Sequence, residues 1–244
     1  MILASTAAIL LAGGLIGATG IGGVLVVPAL TQLEGLEVAR AIAVSSLAFA
    51  FPAVAGLWWL RNGPTVVSAP LWAMVAGAIP GGVLGGLLVH GVQAHWLLTA
   101  LAILAMGSGM RGLMPVHAGN PERAGFGVVR MAVIGLAVGI GSALTGTGGP
   151  VILIPLLMLW RQPMALTLAG AQAIQLPIAL SASAVHAASS SRDLVLACGI
   201  GLLLLIGSLI GQRFARRANL RSLQILVSLL LVGTGLSFAW RVTH

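Results

Sequence analysis

The sequence predicts an all-α polytopic membrane protein made of two four-segment repeats in inverted orientation, each opening with a glycine-broken or re-entrant helix. Three observations lead there. Of 244 residues, 59% are hydrophobic and only 7% are charged, whereas a soluble domain carries about 25% charged residues. So few charges cannot cover a water-soluble globule of this size. The apolar residues fall into eight stretches, roughly 2–33, 38–60, 66–90, 94–114, 127–160, 164–188, 193–212 and 220–240, and most are near the ~20 residues that a helix needs to cross a bilayer. Finally, a glycine motif in the first stretch returns in the fifth.

That recurrence defines the domains. Thr19-Gly20-Ile21-Gly22-Gly23 reappears as Thr145-Gly146-Thr147-Gly148-Gly149, 126 positions later, and each copy is followed by an apolar run containing a proline, Pro28 or Pro155. Further on the match continues at an offset of 125: Pro52 with Pro177, Gly82 and Gly86 with Gly207 and Gly211, Leu101 with Leu226. The chain therefore reads as a first membrane repeat at 1–114, a polar linker at 115–124 and a second membrane repeat at 125–244. The stretch Met1–Ala18 lacks the basic start of a signal peptide, and its apolar pattern runs on past any cleavage point, so it is read as mature structure.

The arginines choose between topologies. With all eight stretches crossing, the twelve arginines divide six against six between the two sides. If the fifth stretch enters and leaves on one side, that side collects nine of them and leaves only Arg40, Arg192 and Arg241 opposite. The second division obeys the positive-inside rule. Repeat symmetry extends the hairpin to the first stretch, with the two tips at Thr19–Gly23 and Thr145–Gly149 entering from opposite faces and meeting near the midplane.

The tips are the candidate binding site. A helix broken at membrane depth leaves backbone groups that lipid cannot satisfy, so it persists only inside protein or beside a watery cavity. Glycine permits unusual backbone angles and close approach. The half-helices expected to begin at Val24 and Val151 would turn positive dipole ends and free N–H groups toward an anion. Candidate substrate-binding residues are therefore Thr19, Gly20, Gly22, Gly23, Ser142, Thr145, Gly146, Thr147, Gly148 and Gly149. Gln172 and Gln175, one turn before Pro177, join them as neutral amide donors. Their repeat counterparts are Leu47 and Ala50, with Ser45 and Ser46 close by, so the site is asymmetric.

Other residues are less suited to chemistry. Glu34, Glu37, Glu122 and Asp193 all fall in connections or at a span end, so a carboxylate proton relay has no obvious carrier. No arginine is at a span centre, which removes a guanidinium clamp. The histidines show no ligand spacing, and His186 alone suits a gate or proton-sensitive group. The single cysteine, Cys198, excludes an internal disulfide or a cysteine-rich metal site. The net charge of +8 is scattered, not clustered as nucleic-acid binding would need. Gly81/Gly85, Gly82/Gly86 and Gly207/Gly211 read as helix-packing pairs, and Trp58, Trp59, Trp96, Trp160 and Trp240 as an interfacial belt.

The paired glycine breaks, the second-segment patterns Ala39–Pro52 and Met164–Pro177 and the glycine pairs resemble the sulfite exporter TauE/SafE family over essentially the whole chain. The resemblance implies an inner-membrane transporter of a bacterial cell, while the lack of any mid-span Asp, Glu or His pair argues against a catalytic role, and no bound cofactor or metal is expected. It would export a small sulfur-containing anion such as sulfite or an organosulfonate by alternating access. The alternatives are an anion channel of the same architecture or a transporter of a non-sulfur anion. The expected partners are that anion and the lipid bilayer, with no nucleic acid. Coupling to Na+ or H+ and assembly as a homodimer stay open at this point.

Overall fold

The computed structural model describes residues 2–215, except 21, 63–67, 90, 115–125, 161, 163 and 187–190, and only scattered residues between 225 and 240. Every regular element among the described residues is a helix: α1 (Ile2–Thr19), a short 3-10 turn (Gly22–Leu25), α2 (Val26–Leu33), α3 (Val38–Ala48), α4 (Ala50–Asn62), α5 (Ala69–Val89), α6 (Ala94–Leu113), α7 (Val128–Thr145), α8 (Pro150–Leu159), α9 (Met164–His186) and α10 (Ser191–Ala215). Four spans, Val38–Trp58, Ala69–Val89, Val128–Thr145 and Asp193–Phe214, are long and apolar enough to cross a membrane. Together with the shorter apolar helices they make a multi-pass membrane protein. The linker 115–124 lies outside the described residues. Of the eighth stretch, the described residues, among them Ile225 and Leu229, are helical.

Prolines and glycines decide where these helices stop. Pro52 has no N–H to offer the carbonyl of Ala48, and the helix pauses there for one residue, Phe49, before resuming as α4. At the end of α7, Gly146 adopts the left-handed conformation (φ 62°, ψ 34°) and its N–H bonds back to Ser142 O, the usual glycine stop. Pro150, whose missing N–H costs nothing in a first turn, opens α8.

The fifth stretch folds back on itself. Phe126, just before α7, meets Trp160, just after α8, edge to face with ring centroids 5.4 Å apart, and Arg130 covers the Phe126 ring at 4.8 Å. The first stretch also doubles back: a Cβ at Gly22 would fall 2.7 Å from Ile16 N and 2.8 Å from Leu15 Cβ, so the turn after α1 lies against its own helix.

Close helix crossings hold the halves together, and each lacks side chains at the contact. On one side, a Cβ at Gly13 would lie 2.6 Å from Leu204 O, and Gly17 faces Ser208, so α1 and α10 run in the same direction. On the other, a Cβ at Gly139 would lie 2.7 Å from Ala78 O and one at Gly85 would lie 2.5 Å from Ile140 O, which sets α7 parallel to α5. Such glycine seams let backbones approach and gain dispersion contacts where hydrophobic burial gives no advantage. The contacts pair these glycines differently from the 125 spacing read in the sequence. Gly207 packs on Leu10 and Gly13, as Gly81 packs on Leu136 and Gly139, so Gly81 and Gly85 match Gly207 and Gly211 at an offset of 126. Gly82 and Gly86, which the sequence aligned at 125, instead face Ser181 and Val185 on α9.

Further contacts give direction to the remaining helices. Gly170 opposes Met74 while Ser181 opposes Gly82, so α9 runs parallel to α5. Arg40, in α3, holds Asp193, in the first turn of α10, and Phe51 lies on Gly201, so α3 and α4 run parallel to α10. Gly109 in α6 packs against Ser228 and Val232, whereas Gly235 packs against Ala102 and Met106; α6 and the last segment cross antiparallel. The core divides into two apolar clusters, one around Ile42, Phe49 and Leu204 and one around Met74, Leu153 and Ile174.

Candidate functional site

The two glycine tips touch each other. A Cβ at Gly20 would sit 3.3 Å from Ile154 Cδ1 and 3.8 Å from Pro150 Cβ, and Gly23 lies against Thr147 O. Between the tips is Phe49, fully buried. One edge of its ring lies 3.2 Å from where a Cβ at Gly23 would be, and its near side lies 3.1 Å from the same position at Gly148. A side chain at either glycine would crowd this ring, and at Gly23 it would also collide with Thr147 O.

The second tip supplies the most polar groups. Its backbone takes positive φ at Gly146 (62°), Gly148 (81°) and Gly149 (101°), conformations that cost little only for glycine. Ser45 Oγ donates to Ile42 O at 3.0 Å and lies 3.4 Å from Gly146 O, tying α3 to the tip. Thr145 Oγ1 lies 2.7 Å from Gly141 O and donates to it. Its one proton is thereby used, so in the 3.0 Å contact with Thr147 it is Thr147 that donates. Thr147 Oγ1 keeps its lone pairs open.

Several buried groups of this tip, and one in α9, have no protein partner. Ser142 is 1% exposed and Gln175 2%, and neither Ser142 Oγ nor Gln175 Oε1 has a hydrogen bond. Ser142 Oγ lies 3.9 Å from the position of a Cβ at Gly149. Among the described residues, no acceptor takes the N–H of Gly148 or of Gly149. An unfilled buried donor or acceptor costs about 1–3 kcal/mol, and native structures hold few of them. Two backbone N–H groups and a hydroxyl of the second tip are therefore left without a protein partner.

The geometry corrects the predicted source of those donors. Ile152 and Leu153 both give their N–H to Gly149 O, at 3.1 Å each, so the first turn of α8 is closed and the open amides precede it. At the first tip, the expected start at Val24 is instead a 3-10 turn beginning at Gly22, with α2 beginning at Val26. Gly20 there has φ 79° and returns its N–H to Ile16 O at 2.9 Å.

The other predicted residues divide. Ser142, Thr145, Gly146, Thr147, Gly148 and Gly149 share one tip, and Gly20 and Gly23 face it. Gly22 serves the fold-back against α1. Gln172 packs its amide on Gly56 of α4, which is a helix-to-helix contact, while Gln175, buried in α9, has the open acceptor. The side chains of Thr19 and His186 lie outside the described residues. Sequence reasoning missed Phe49; the nearby Pro52, which interrupts the helix beside it, was the available signal. Among the described residues, no cluster of three or more His, Cys, Asp or Glu suits a metal ion.

No curated protein and no solved structure matches the chain. The family model described as sulfite exporter TauE/SafE matches residues 4–238, which takes in both glycine tips, the helices that carry them and the crossings between the halves. The chain belongs to the TauE/SafE family of membrane transporters for sulfur-containing anions such as sulfite.

Proposed function

We propose that the chain exports a small sulfur-containing oxyanion, sulfite or an organosulfonate, from the bacterial cytoplasm across the inner membrane. The anion would bind between the two tips, on the Gly148 and Gly149 amides and the Ser142 hydroxyl, with Gln175 and Thr147 accepting from a protonated oxygen. The observation that carries this reading is the group of buried, unpartnered polar atoms at the second tip. Binding by neutral donors in a low-dielectric site gives useful affinity and still permits release.

Alternating access would come from two inverted repeats, 1–114 and 125–244, with the intervening residues as a linker. Three contacts support the inversion. The antiparallel crossing of α6 with the last segment relates Gly109 to Gly235, equivalent positions in the two halves. Parallel α5 and α9 require an even number of reversals between them, and a re-entrant α7–α8 hairpin supplies it. The Arg40–Asp193 pair must lie on one face, as the nine-to-three division of arginines also requires. The Phe49 ring between the tips suits a gate that moves, and favours a transporter over an open channel.

The test is sulfite flux in proteoliposomes, with sulfate, thiosulfate, sulfoacetate and simple carboxylates as competitors, with and without Na+. Saturable sulfite flux with trans-acceleration is expected. Flux that is linear in concentration without trans-acceleration would mean a channel, and preference for carboxylates would overturn the sulfur assignment.

A further inference from the structure

We propose that the bodies that move during transport are not the two repeats but two helix-exchanged bundles, one made of α1–α4 with α10 and the other of α5 with α7–α9. The inference rests on the alternating access proposed above and names the parts that alternate.

The buried core already divides this way. Its second cluster draws every buried member from α5, α7, α8 and α9. The first is built from α1, α2, α3, Phe49 and α10, with Val89, Ala102 and Ala179 joining from elsewhere. Each bundle therefore holds the hairpin and second segment of one repeat together with the third segment of the other.

Inside each bundle, backbone lies on backbone over several turns. Gly77, Gly81 and Gly85 of α5 meet Ala132, Leu136 and Ile140 of α7, and in α1 Gly13 and Gly17 meet Leu204 and Ser208 of α10. Both series advance four residues at a time on each helix, so a slide of less than a full turn would push a side chain into a backbone. Close-packed contacts of this kind move as one piece. The Arg40–Asp193 pair and the Phe51 ring over Gly201 fasten α3 and α4 to α10 in the same bundle.

The boundary between the bundles is built differently. It passes between the two tips, where a Cβ at Gly20 would lie 3.8 Å from Pro150 Cβ and the Phe49 ring lies on Gly148, and it continues where Gly56 of α4 meets the side chain of Gln172 in α9. Backbone nears backbone at separate points, Gly23 against Thr147 O and Gly146 against Ile42, and not along a seam. The Ser45 Oγ contact across it, to Gly146 O, is long at 3.4 Å. The N–H of Gly148 has no acceptor among the described residues, so parting the surfaces there would break no bond of that group and would open it to water or anion. A surface joined by side chains is the one that can part.

Disulfide trapping in proteoliposomes tests the division, in a Cys198→Ala background with sulfite flux read before and after oxidation. Gly86→Cys with Val185→Cys joins α5 to α9, which belong to different repeats but one bundle; the two Cβ atoms would lie 3.2 Å apart, close to the roughly 3.5–4.5 Å of a disulfide. Oxidised flux should stay within about twofold of reduced flux, because no moving surface is crossed. Gly56→Cys with Gln172→Cys joins α4 to α9 across the boundary, with Cβ atoms 3.7 Å apart. Here oxidation should lower flux about tenfold or more, since opening is blocked, and reduction should restore it. A block by the 86–185 disulfide would show the repeats moving as units, and full flux with the 56–172 disulfide would put α4 and α9 in one body; either result overturns the bundles. Should these variants misfold, Arg40→Cys and Asp193→Cys, linked by a short bifunctional thiol reagent at the surface, decide in their place: retained flux supports the first bundle and lost flux overturns it. Linear wild-type flux without trans-acceleration would sink the transporter reading and this one together, whereas a block by an intrabundle link in protein that otherwise trans-accelerates sinks the bundles alone.

Discussion

Arg40 and Asp193 are 153 positions apart and form an ion pair, with Nε and Nη2 of the arginine 2.8 and 2.5 Å from Oδ1 of the aspartate. The pair ties the start of the second segment in one half to the start of the third in the other. Both ends must therefore lie at the same membrane surface. Cysteines introduced at 40 and 193, in a Cys198→Ala background, are expected to react with an impermeant thiol reagent added outside intact cells. Cysteines at 120 and 218 should be protected until the cells are opened. Labelling of 120 and 218 from outside would reverse the orientation, and unequal labelling of 40 and 193 would contradict the pair. Because Arg40 is half-exposed, the bridge itself contributes at most about 1 kcal/mol, and Arg40→Ala should insert and fold normally.

Ser142→Ala removes the one side-chain donor of the second tip that has no protein partner. A hydrogen bond to a charged ligand is worth about 1.5–3 kcal/mol, so the half-saturating sulfite concentration should rise about ten- to a hundredfold. The thermal midpoint should hold or increase slightly, since a buried orphan hydroxyl disappears. Undiminished transport affinity in folded Ser142→Ala protein would exclude Ser142 from the site.

Phe49→Ala leaves a cavity between the tips. Truncating a buried phenylalanine costs about 3–5 kcal/mol, so a clear drop in thermal midpoint is expected. Flux, if the ring is the gate, should lose trans-acceleration as the two sides become continuous. A variant that is less stable but still shows full trans-acceleration would make Phe49 a packing residue alone. Phe49→Leu, which retains most of the bulk, should restore coupling.

The glycine seams predict a contrast within a single helix. Gly207→Ala in α10 places a methyl group against Leu10 O, and neither backbone can yield, so expression of folded protein should fall sharply. Gly199→Ala, on the same helix with nothing within 4 Å, should be neutral or stabilise by up to about 1 kcal/mol through helix propensity. Equal behaviour of the two in a fluorescence-detected gel-filtration melt would contradict the α1–α10 crossing.

Span lengths and the two tips were legible because hydropathy and repeated glycines are local signals. Partnering was less so. Gly81 and Gly82 are adjacent and chemically identical, and only the three-dimensional contacts show that one faces α7 and the other α9. Phe49 reads as one more apolar residue in an apolar helix, yet its ring lies against both tips, at Gly23 and at Gly148. The glutamines looked equivalent for the opposite reason: Gln172 and Gln175 have the same amide, and the glycine at position 56, far away in sequence, takes up the first and not the second. Helix polarity also misled locally, since closing the first turn of α8 on Gly149 O moves the open amides two residues upstream of where an ideal helix start would have them.

The exchange of helices between halves bears on how the chain is made. The glycine stripe of α1 is complementary to α10, which begins at residue 191. At about 5–20 residues per second, the ribosome needs roughly ten to forty seconds after α1 emerges before its partner exists. During that interval a short, glycine-rich hairpin must stay in or near the translocon without its mate. Truncation before α10 should therefore leave the first hairpin without its mate and open to proteolysis.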